Sequence, residues 1–343
     1  METDATLSAT LGADIGTTLG ATLGPRDLVL PGATLGHPPL LDHIRLAASN
    51  GFAGVSIRTA DYLEALATGL TSVQIRRAIA DVGLLVGDID CVAPILGTGQ
   101  PGGEFYGATE DDVLRCAEAL SARSVNLILQ KNREATATPE AVVEAAATDA
   151  ARVADRAADI GVLVHLEPIP FMDIKDAVTA LEVVAEADRP NLGIQIDAWH
   201  HFRGPIPADA HATAEVTAAT AHATAEVTAE AAEAMAESCG VFFSFPAQRI
   251  FAIQVCDAGP PQGRPFEDTM KRRLFPGQGE FPLAALLATL RLIGCRAPIS
   301  VEVFSDSLLP VQQASTARQA AESARTLMDE SAATLEAMLK QFS

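Results

Sequence analysis

Eight short apolar runs, each followed by a long alanine-rich stretch with helical spacing, constrain this chain more than any other feature of its sequence. The runs occupy residues 27–30, 54–58, 84–90, 125–129, 162–167, 192–197, 250–256 and 299–303. Mostly continuous apolar runs of this length are typical of parallel strands that are buried on both faces. Their alternation with helical stretches predicts a βα unit that is repeated eight times.

Two of the helical stretches carry recognisable start and stop signals. Thr109 followed by Asp112 predicts a capping box at the start of one helix. Thr138 followed by Pro139 predicts a cap and a first turn, and Gly161 predicts the end of that helix. These signals place helices between the predicted strands, as βα units require.

Eight βα units predict an α/β fold of the (β/α)8 TIM-barrel type, which takes about 250 residues before insertions. A doubly wound sheet is the alternative, but no G-x-G-x-x-G follows the first predicted strand. Residues 1–25 repeat Thr-Leu-Gly and lack a stable period. They predict a disordered N-terminal tail before a barrel of residues 26–343.

One segment within the barrel interrupts the alternation. The phrase AHATAEVTA at 210–218 returns at 221–229. This repeat marks an Ala/Thr/Glu-rich insert at about 207–240, after strand six. His211 and His222 take equivalent places in the repeat, and we interpret them as a solvated pair rather than as metal ligands.

The charge of the chain excludes several classes of partner. It carries 44 acidic and 24 basic side chains, for a formal net charge of −20. Nucleic acid and anionic membranes are excluded as main partners, because phosphates are bound through Lys and Arg. Five scattered cysteines without a CxxC pair, no signal peptide and no bilayer-spanning apolar run predict a cytoplasmic protein. The expected partner is a small-molecule substrate, and a homodimer stays open.

Polar side chains appear where the last four apolar runs end, and they are Glu167, Asp197, Gln254 and Glu302. In a TIM barrel the C-terminal ends of the strands meet at one mouth, where the chemistry takes place. Three carboxylates and an amide oxygen would need a cation there, and hard oxygen ligands favour Mn²⁺ or Mg²⁺. Each of these residues, considered alone, also fits a structural role. Glu302 fits a surface ion pair, Asp197 a helix cap and Gln254 a core amide that is bonded to the backbone. Together they predict one divalent-cation site.

Longer phrases around these residues resemble one known superfamily. The phrases are HLEPIPF at 165–171, RPNLGIQIDAWHHFRG at 189–204, IFAIQVCDA at 250–258, RRLFPGQGEF at 272–281 and ISVEVFSD at 299–306, with GFAGVSIR at 51–58 in the first half. The chain resembles the xylose isomerase-like TIM-barrel superfamily, the sugar phosphate isomerases and epimerases, over roughly residues 26–340 outside the insert. This superfamily hosts several chemistries, so the resemblance implies the fold more firmly than the substrate.

The resemblance implies a single divalent metal held by Glu167, Asp197, Gln254 and Glu302. In sugar epimerases and inosose dehydratases of this superfamily the third ligand is typically His. Gln254 resembles the 3-dehydroshikimate dehydratase branch instead. Ile169 stands where that branch tends to carry a His, two residues after the first Glu. Neither activity is therefore matched in full.

The resemblance also implies contacts to the substrate. His200 matches a D-x-x-H element whose His usually contacts a substrate oxygen, and Arg273 matches an Arg that precedes the P-G-x-G turn. Arg203 is a further candidate anchor for a carboxylate or phosphate, and Trp199 is a candidate for an apolar wall. His201 completes the predicted substrate-binding set.

A cation at this mouth would polarise a ketone and acidify the neighbouring C–H. We predict that Glu167 and Glu302 move the proton, with His200 as a shuttle. The leading hypothesis is a metal-dependent isomerase or epimerase that acts on a small polyhydroxylated ketone through an enediolate. The alternative is a dehydratase of a cyclic keto-polyol such as an inosose or 3-dehydroshikimate. A degenerate, non-catalytic barrel is the third hypothesis.

Overall fold

Eight parallel strands hydrogen-bond in chain order and close into a barrel. The computed structural model describes residues 23–132, 138–205, 239–308 and 312–341. The strands are β1 (Leu28–Pro31), β2 (Gly54–Arg58), β3 (Leu85–Val92), β4 (Ser124–Leu127), β5 (Leu163–Leu166), β6 (Leu192–Asp197), β7 (Ile250–Val255) and β8 (Ile299–Val301). Because β8 pairs with β1, the predicted (β/α)8 barrel is confirmed, and each predicted apolar run overlaps one strand.

Helices follow the strands and cover the barrel with their apolar faces. They are α1 (Leu40–Ser49), α2 (Thr59–Ala67), α3 (Ser72–Asp81), α4 (Glu110–Leu120), α5 (Pro139–Ala158), α6 (Ala177–Ala187), α7 (Ala198–Arg203), α8 (Pro265–Lys271), α9 (Leu283–Leu292) and α10 (Gln313–Gln341). On α5 the buried positions are mostly alanine, among them Ala146, Ala150 and Ala157. Such small side chains let a helix lie close to the strands it covers.

The predicted helix ends are confirmed. Thr109 Oγ1 accepts a hydrogen bond from the Asp112 backbone N–H at 3.2 Å, and the Asp112 carboxylate accepts one from the Thr109 N–H at 3.0 Å. Thr138 caps α5, which begins at Pro139, and Gly161 follows the helix with a φ of 70°. Each such cap typically contributes about 1 kcal/mol to stability.

Polar side chains lie inside the barrel below its mouth. Side chains alternate between the two faces of a strand, so a residue two positions before one at the mouth points into the same interior. Four polar residues of β2, β3, β5 and β6 have this position: Ser56, Asp88, His165 and Gln195. Ser56 Oγ donates to Asp88 Oδ1 at 2.6 Å. His165 is fully buried, and within the described residues neither ring nitrogen has a hydrogen-bond partner. Burial lowers the pKa of His165 to about 3, so its ring is neutral at pH 7.

Residues 1–22 of the predicted tail at 1–25 lie outside the described residues, and so do residues 206–238, which cover most of the predicted insert at about 207–240 with His211 and His222. Leu23 is buried, and its Cδ1 lies within 3.5 Å of the Cβ position that a side chain would take at Gly54 or Gly87. The described chain thus packs against the barrel from Leu23 onward. None of the described helices combines the length and apolarity that a membrane crossing needs.

Candidate active site

The four predicted metal ligands lie together at the C-terminal mouth of the barrel. Asp197 ends β6 and pairs in register with Gln254 of β7, while Glu167 and Glu302 follow β5 and β8 directly. All four side chains are buried. Neighbouring parallel strands present their ends at one edge, so the shared position follows from the closed sheet. Their role as metal ligands stays a prediction.

Asp197 is held from two sides. Its Oδ1 accepts the His200 backbone N–H at 2.8 Å and so caps α7, while its Oδ2 accepts Arg273 Nη1 at 2.8 Å. Burial alone would raise the pKa of Asp197, but Arg273 and His200 together hold it below its ordinary value. Asp197 is therefore an ionised carboxylate, and its capping role coexists with its place in the cluster.

Arg273 is the cation of the cluster. Besides Asp197, its Nη1 donates to Glu302 Oε2 at 3.2 Å. Its Nε donates to the Thr269 carbonyl at 3.0 Å, and its Nη2 donates to Thr269 Oγ1 at 2.8 Å. Burial opposes the charge of Arg273, but Asp197, Cys256 and Glu302 raise its pKa above its ordinary value. α8 thus fixes the guanidinium between two carboxylates.

Glu302 lies in a crowded electrostatic environment. Burial raises its pKa well above the ordinary value, Arg273 lowers it in part, and the charges of Glu167 and Asp197 raise it further. Gln254 Nε2 donates to Glu302 Oε1 at 3.2 Å, while Gln254 Oε1 accepts Gln195 Nε2 at 2.9 Å. Gln254 thus presents its amide nitrogen to the cluster. Ligation through its oxygen requires the terminal amide to rotate.

Glu167 connects the cluster to β3 and β4. Its Oε1 lies 3.4 Å from His200 Nε2, and its Oε2 accepts Asn126 Nδ2 at 2.7 Å. Asn126 Nδ2 also lies 3.1 Å from Asp90 Oδ1. The buried Asn126 Oδ1 and His200 Nδ1 have no partner among the described residues. Burial and the charge of Glu167 raise the pKa of Asp90.

The donor set fits a divalent cation. Within the described chain, Arg273 contacts two carboxylates of this cluster, Asp197 and Glu302, while Asn126 contacts the other two, Asp90 and Glu167. Ligand atoms of Glu167, Asp197 and His200 lie within 4.8 Å of one another, close enough for a single ion to contact all three. Buried carboxylates in excess over cations are costly unless a positive charge offsets them. Oxygen ligands suit Mn²⁺ or Mg²⁺, and an imidazole also suits Zn²⁺.

A tight turn after Arg273 positions this residue. The Asp257 carboxylate accepts the backbone N–H groups of Gly277 at 3.1 Å and Phe281 at 3.0 Å. Asp257 also exchanges two backbone hydrogen bonds with Leu274, at 2.7 and 2.8 Å. The P-G-Q-G phrase of the sequence is therefore a loop that is anchored on the end of β7.

A cavity of about 380 Å³ opens above the cluster. The predicted site residues that line it are Glu167, His200, Arg273 and Glu302. Its apolar wall includes Phe105, Tyr106, Ile128, Ile169, Phe171 and Phe266. The residue that replaces the expected His, Ile169, therefore contributes apolar surface at the cavity. This volume suits a ligand with a single small ring.

Three predicted substrate-binding residues lie away from this cavity. Arg203 Nη2 donates to the Gly259 carbonyl and to Glu280, each at 2.6 Å, so it holds the turn loop. His201 packs against Phe242, with ring centroids 4.7 Å apart. Trp199 is buried, and its ring packs edge-to-face against the ring of His200 with centroids 5.5 Å apart. Their substrate contact stays a prediction, and the structure gives each a packing or loop-holding role.

Functional candidates that were not predicted from the sequence lie on the first half of the barrel. Arg58 ends β2, Asp90 lies two residues before the end of β3, and Asn126 lies one residue before the end of β4. The signal that located the acidic cluster, a polar residue at or close to the end of a strand, also selects these three. His37 and Asp61 lie in the loop after β1 and in α2, so strand ends could not reveal them.

Comparison with known proteins places the chain in one family. The family model described as xylose isomerase-like TIM barrel matches residues 44–329. A 3-dehydroshikimate dehydratase of Pseudomonas aeruginosa is 26% identical over 292 residues, covering 84% of this chain and 39% of the relative. A 3-dehydroshikimate dehydratase of Pseudomonas putida is 27% identical over 43% of this chain and 18% of its own length. The chain thus spans well under half the length of these curated relatives.

Solved structures share the fold. A xylose isomerase-like TIM barrel/4-hydroxyphenylpyruvate dioxygenase fusion protein gives a TM-score of 0.68 at 20% identity, covering 91% of this chain and 44% of that one. The IolI protein with a bound zinc atom gives 0.67 at 17% identity, over 88% of this chain and 98% of that one. A D-allulose 3-epimerase from Methylomonas sp. gives 0.57 at 17% identity, over 90% and 99%.

Proposed function

This chain belongs to the xylose isomerase-like TIM barrel family, and we propose that it is a divalent-metal-dependent dehydratase of a small hydroxylated ketone. The observation that carries the proposal is the buried cluster of Glu167, Asp197 and Glu302 at the barrel mouth, with one guanidinium as its counter-charge. Such an excess of buried carboxylates at the catalytic end of a barrel favours a bound cation.

In this proposal one oxygen of Glu167 holds the metal together with Asp197, Glu302 and a rotated Gln254, and His200 stays unligated so that it can carry a proton. When bound, a divalent cation polarises the ketone and acidifies the C–H beside it. Asp197 is fixed by Arg273 and by the backbone of α7, so it keeps one orientation. The preference for Mn²⁺ or Mg²⁺ follows from the number of oxygen donors.

Glu167 and His200 carry out the proton transfers in this proposal. Glu167 takes the proton from the carbon beside the ketone, and the electron pair of that C–H bond forms the new C=C bond. The hydroxyl on the next carbon leaves and takes a proton from His200, so water is released. Because Glu167 Oε1 and His200 Nε2 are 3.4 Å apart, the proton on Glu167 can return to His200 and restore both groups.

Two features favour dehydration over epimerisation. Both curated relatives are named 3-dehydroshikimate dehydratase, and the amide at position 254 resembles that branch. Epimerisation stays the second candidate, because Glu302 is a further buried carboxylate that could return the proton to the opposite face. Epimerases among the solved structures with this fold are consistent with that candidate.

The test combines metal analysis with turnover. We expect the purified protein to retain a divalent ion, or to gain thermal stability on addition of Mn²⁺ or Mg²⁺. The metal-loaded protein should convert 3-dehydroshikimate to a more conjugated product, followed by its ultraviolet absorbance. Glu167→Gln should abolish turnover, whereas Glu186→Gln, an exposed carboxylate on α6, should not change it.

The outcome in deuterated water separates the hypotheses. Deuterium uptake into a ketohexose without a conjugated product would make the protein an epimerase. Failure to bind any divalent ion, together with no turnover of either substrate class, would leave the non-catalytic barrel as the better description.

A further inference from the structure

Two polar side chains with unpaired atoms lie on neighbouring strands inside the barrel, one layer below the mouth. Asn126 of β4 is the register partner of His165 of β5, so both side chains point into the barrel. Asn126 is 3% exposed and His165 is 0% exposed. Within the described residues, Asn126 Oδ1 and both ring nitrogens of His165 lack a hydrogen-bond partner. Buried polar atoms without partners are rare in folded proteins, so this pair indicates a specific role.

The nitrogen of the Asn126 amide holds two carboxylates. Nδ2 carries two hydrogens, and it lies 2.7 Å from Glu167 Oε2 and 3.1 Å from Asp90 Oδ1. An ionised carboxylate only accepts hydrogen bonds, so the amide presents its nitrogen to Glu167 and turns its oxygen away. Asn126 therefore has no amide hydrogen left for a substrate, and its contacts serve the carboxylates.

The contact with Asn126 restrains the rotation of the Glu167 carboxylate. While Nδ2 holds Oε2, Oε1 stays 3.4 Å from His200 Nε2. This is the distance over which a proton returns to His200 in the proposed reaction. A base that is already held in its reacting orientation loses less conformational freedom when it reacts. The amide of Asn126 thus orients the base.

The oxygen of the Asn126 amide needs a donor from the barrel interior. An imidazole carries at least one N–H in either charge state, and His165 is the register neighbour of Asn126 on β5. The two side chains share no direct hydrogen bond. Buried water molecules commonly join such groups, and each needs at least two polar partners. Asn126 Oδ1 and one ring nitrogen of His165 supply these two partners.

We infer that His165 and Asn126 are positioning residues that orient Glu167 from inside the barrel, with one water molecule between them. This inference rests on the proposed function, in which Glu167 is the base, and it adds two residues to the same site. The order of contacts is His165, water, Asn126 and Glu167. Neither His165 nor Asn126 exchanges a proton with the substrate in this arrangement.

Binding of Mn²⁺ and turnover of 3-dehydroshikimate by full-length variants test the inference. Asn126→Leu keeps the side-chain volume and removes the amide. Because Glu167 is also a proposed metal ligand, this variant should bind Mn²⁺ about 10- to 100-fold more weakly. Its kcat at saturating Mn²⁺ should fall by a similar factor, and KM should stay nearly unchanged. Unchanged Mn²⁺ affinity and unchanged kcat would overturn the inference.

Asn191→Leu is the matched control. This buried amide lies just before β6, at the opposite end of the barrel, and donates to the Ala154 and Val162 carbonyls at 2.8 and 3.2 Å. Its loss should lower stability, as the loss of any buried amide would, and leave Mn²⁺ affinity and kcat as in the wild type. Asn126→Ala replaces Asn126→Leu if the leucine variant fails to fold.

A double-mutant cycle tests the connection between the two positions. His165→Phe keeps a ring and removes its nitrogens, and it should lower kcat by about three- to tenfold in the wild-type background. In the Asn126→Leu background it should change kcat little, because the amide through which it acts is gone. Equal losses in both backgrounds would mean that His165 acts independently of Asn126, and would overturn the inference.

Ring ¹⁵N resonances of histidine-labelled protein give a readout that needs no turnover. Asn126→Leu should shift the His165 resonances, which are identified by their loss in His165→Phe, while Asn191→Leu should leave them in place. If these shifts and the loss of Mn²⁺ affinity occur in a protein that turns over no ketone, the orientation of Glu167 stands and the proposed reaction fails. Wild-type turnover that is unchanged in Asn126→Leu and His165→Phe means the reverse.

Discussion

Arg273 Nη1 lies 2.8 Å from Asp197 Oδ2 in a region where neither side chain is more than 2% exposed. The same nitrogen reaches Glu302 at 3.2 Å, so one guanidinium offsets two buried carboxylates. A buried ion pair contributes little net stability, but removal of one partner leaves an uncompensated charge. The pair therefore couples the stability of the barrel to the charge state of its mouth.

Arg273→Met should destabilise the fold by about 3–5 kcal/mol, because it leaves Asp197 and Glu302 buried without their counter-charge. Chemical denaturation measures the loss, and Mn²⁺ should restore part of it. The control is Arg272→Met, at the neighbouring position, which removes a partly exposed pair with Asp268 and should cost at most about 1 kcal/mol. Equal losses of stability in the two variants would mean that burial does not make the loss of Arg273 more costly than the loss of a partly exposed arginine.

Glu302→Gln should lower turnover by about 10–100-fold or more, because Glu302 is one of the proposed metal ligands. The fold should remain intact. Burial and neighbouring charges raise the pKa of this carboxyl, so a neutral isostere relieves repulsion. Thermal unfolding should stay near the wild-type midpoint. Glu280→Gln, which removes an exposed partner of Arg203, should affect neither measurement strongly. Global unfolding of Glu302→Gln would make this residue structural.

Asp88 should make stability depend on pH. Burial raises its pKa from 3.8 to about 7, although Ser56 lowers it in part. Because the folded state then binds the proton more tightly than the unfolded state, this contribution is complete below about pH 4 and is lost as the pH rises through about 7. Asp88→Asn removes this dependence and keeps an acceptor for Ser56.

Urea denaturation between pH 5 and pH 8 measures the part of this effect that falls above pH 5, which is at most about 3 kcal/mol for roughly two pKa units. The wild type should lose more stability over that range than Asp88→Asn. Asp81→Asn, an exposed carboxylate paired with Arg77 at the end of α3, should behave as the wild type does. Parallel pH curves for wild type and Asp88→Asn would contradict the prediction.

Gly279→Ala should destabilise the turn that follows Arg273. A Cβ at this position would lie 2.3 Å from Asp257 Oδ1 and 2.4 Å from the Ala258 carbonyl. Overpacking of this kind typically costs about 1–3 kcal/mol. Gly259→Ala has open space around its Cβ and should be close to neutral, as measured by thermal unfolding. Equal midpoints for the two variants would mean that the turn can move freely.

The local signals in the sequence were sufficient for the architecture. Apolar runs and capping residues such as Thr109 and Thr138 depend only on nearby chain, because burial on two faces and satisfaction of helix ends are local requirements. The strand-end rule likewise located the acids at 167, 197 and 302, since any closed parallel barrel presents these ends at one mouth.

The sequence by itself determined the barrel, the acidic mouth and the resemblance that linked them to a family. Only the tertiary structure decided which partners each charged group meets: Arg273 with Asp197, Arg203 with a loop carbonyl, and Arg58 with Asp61. Asp197 and Arg273 are 76 residues apart along the chain. The free energy of a buried charge depends on its neighbours in space and on its distance from water, and a strand pattern specifies neither.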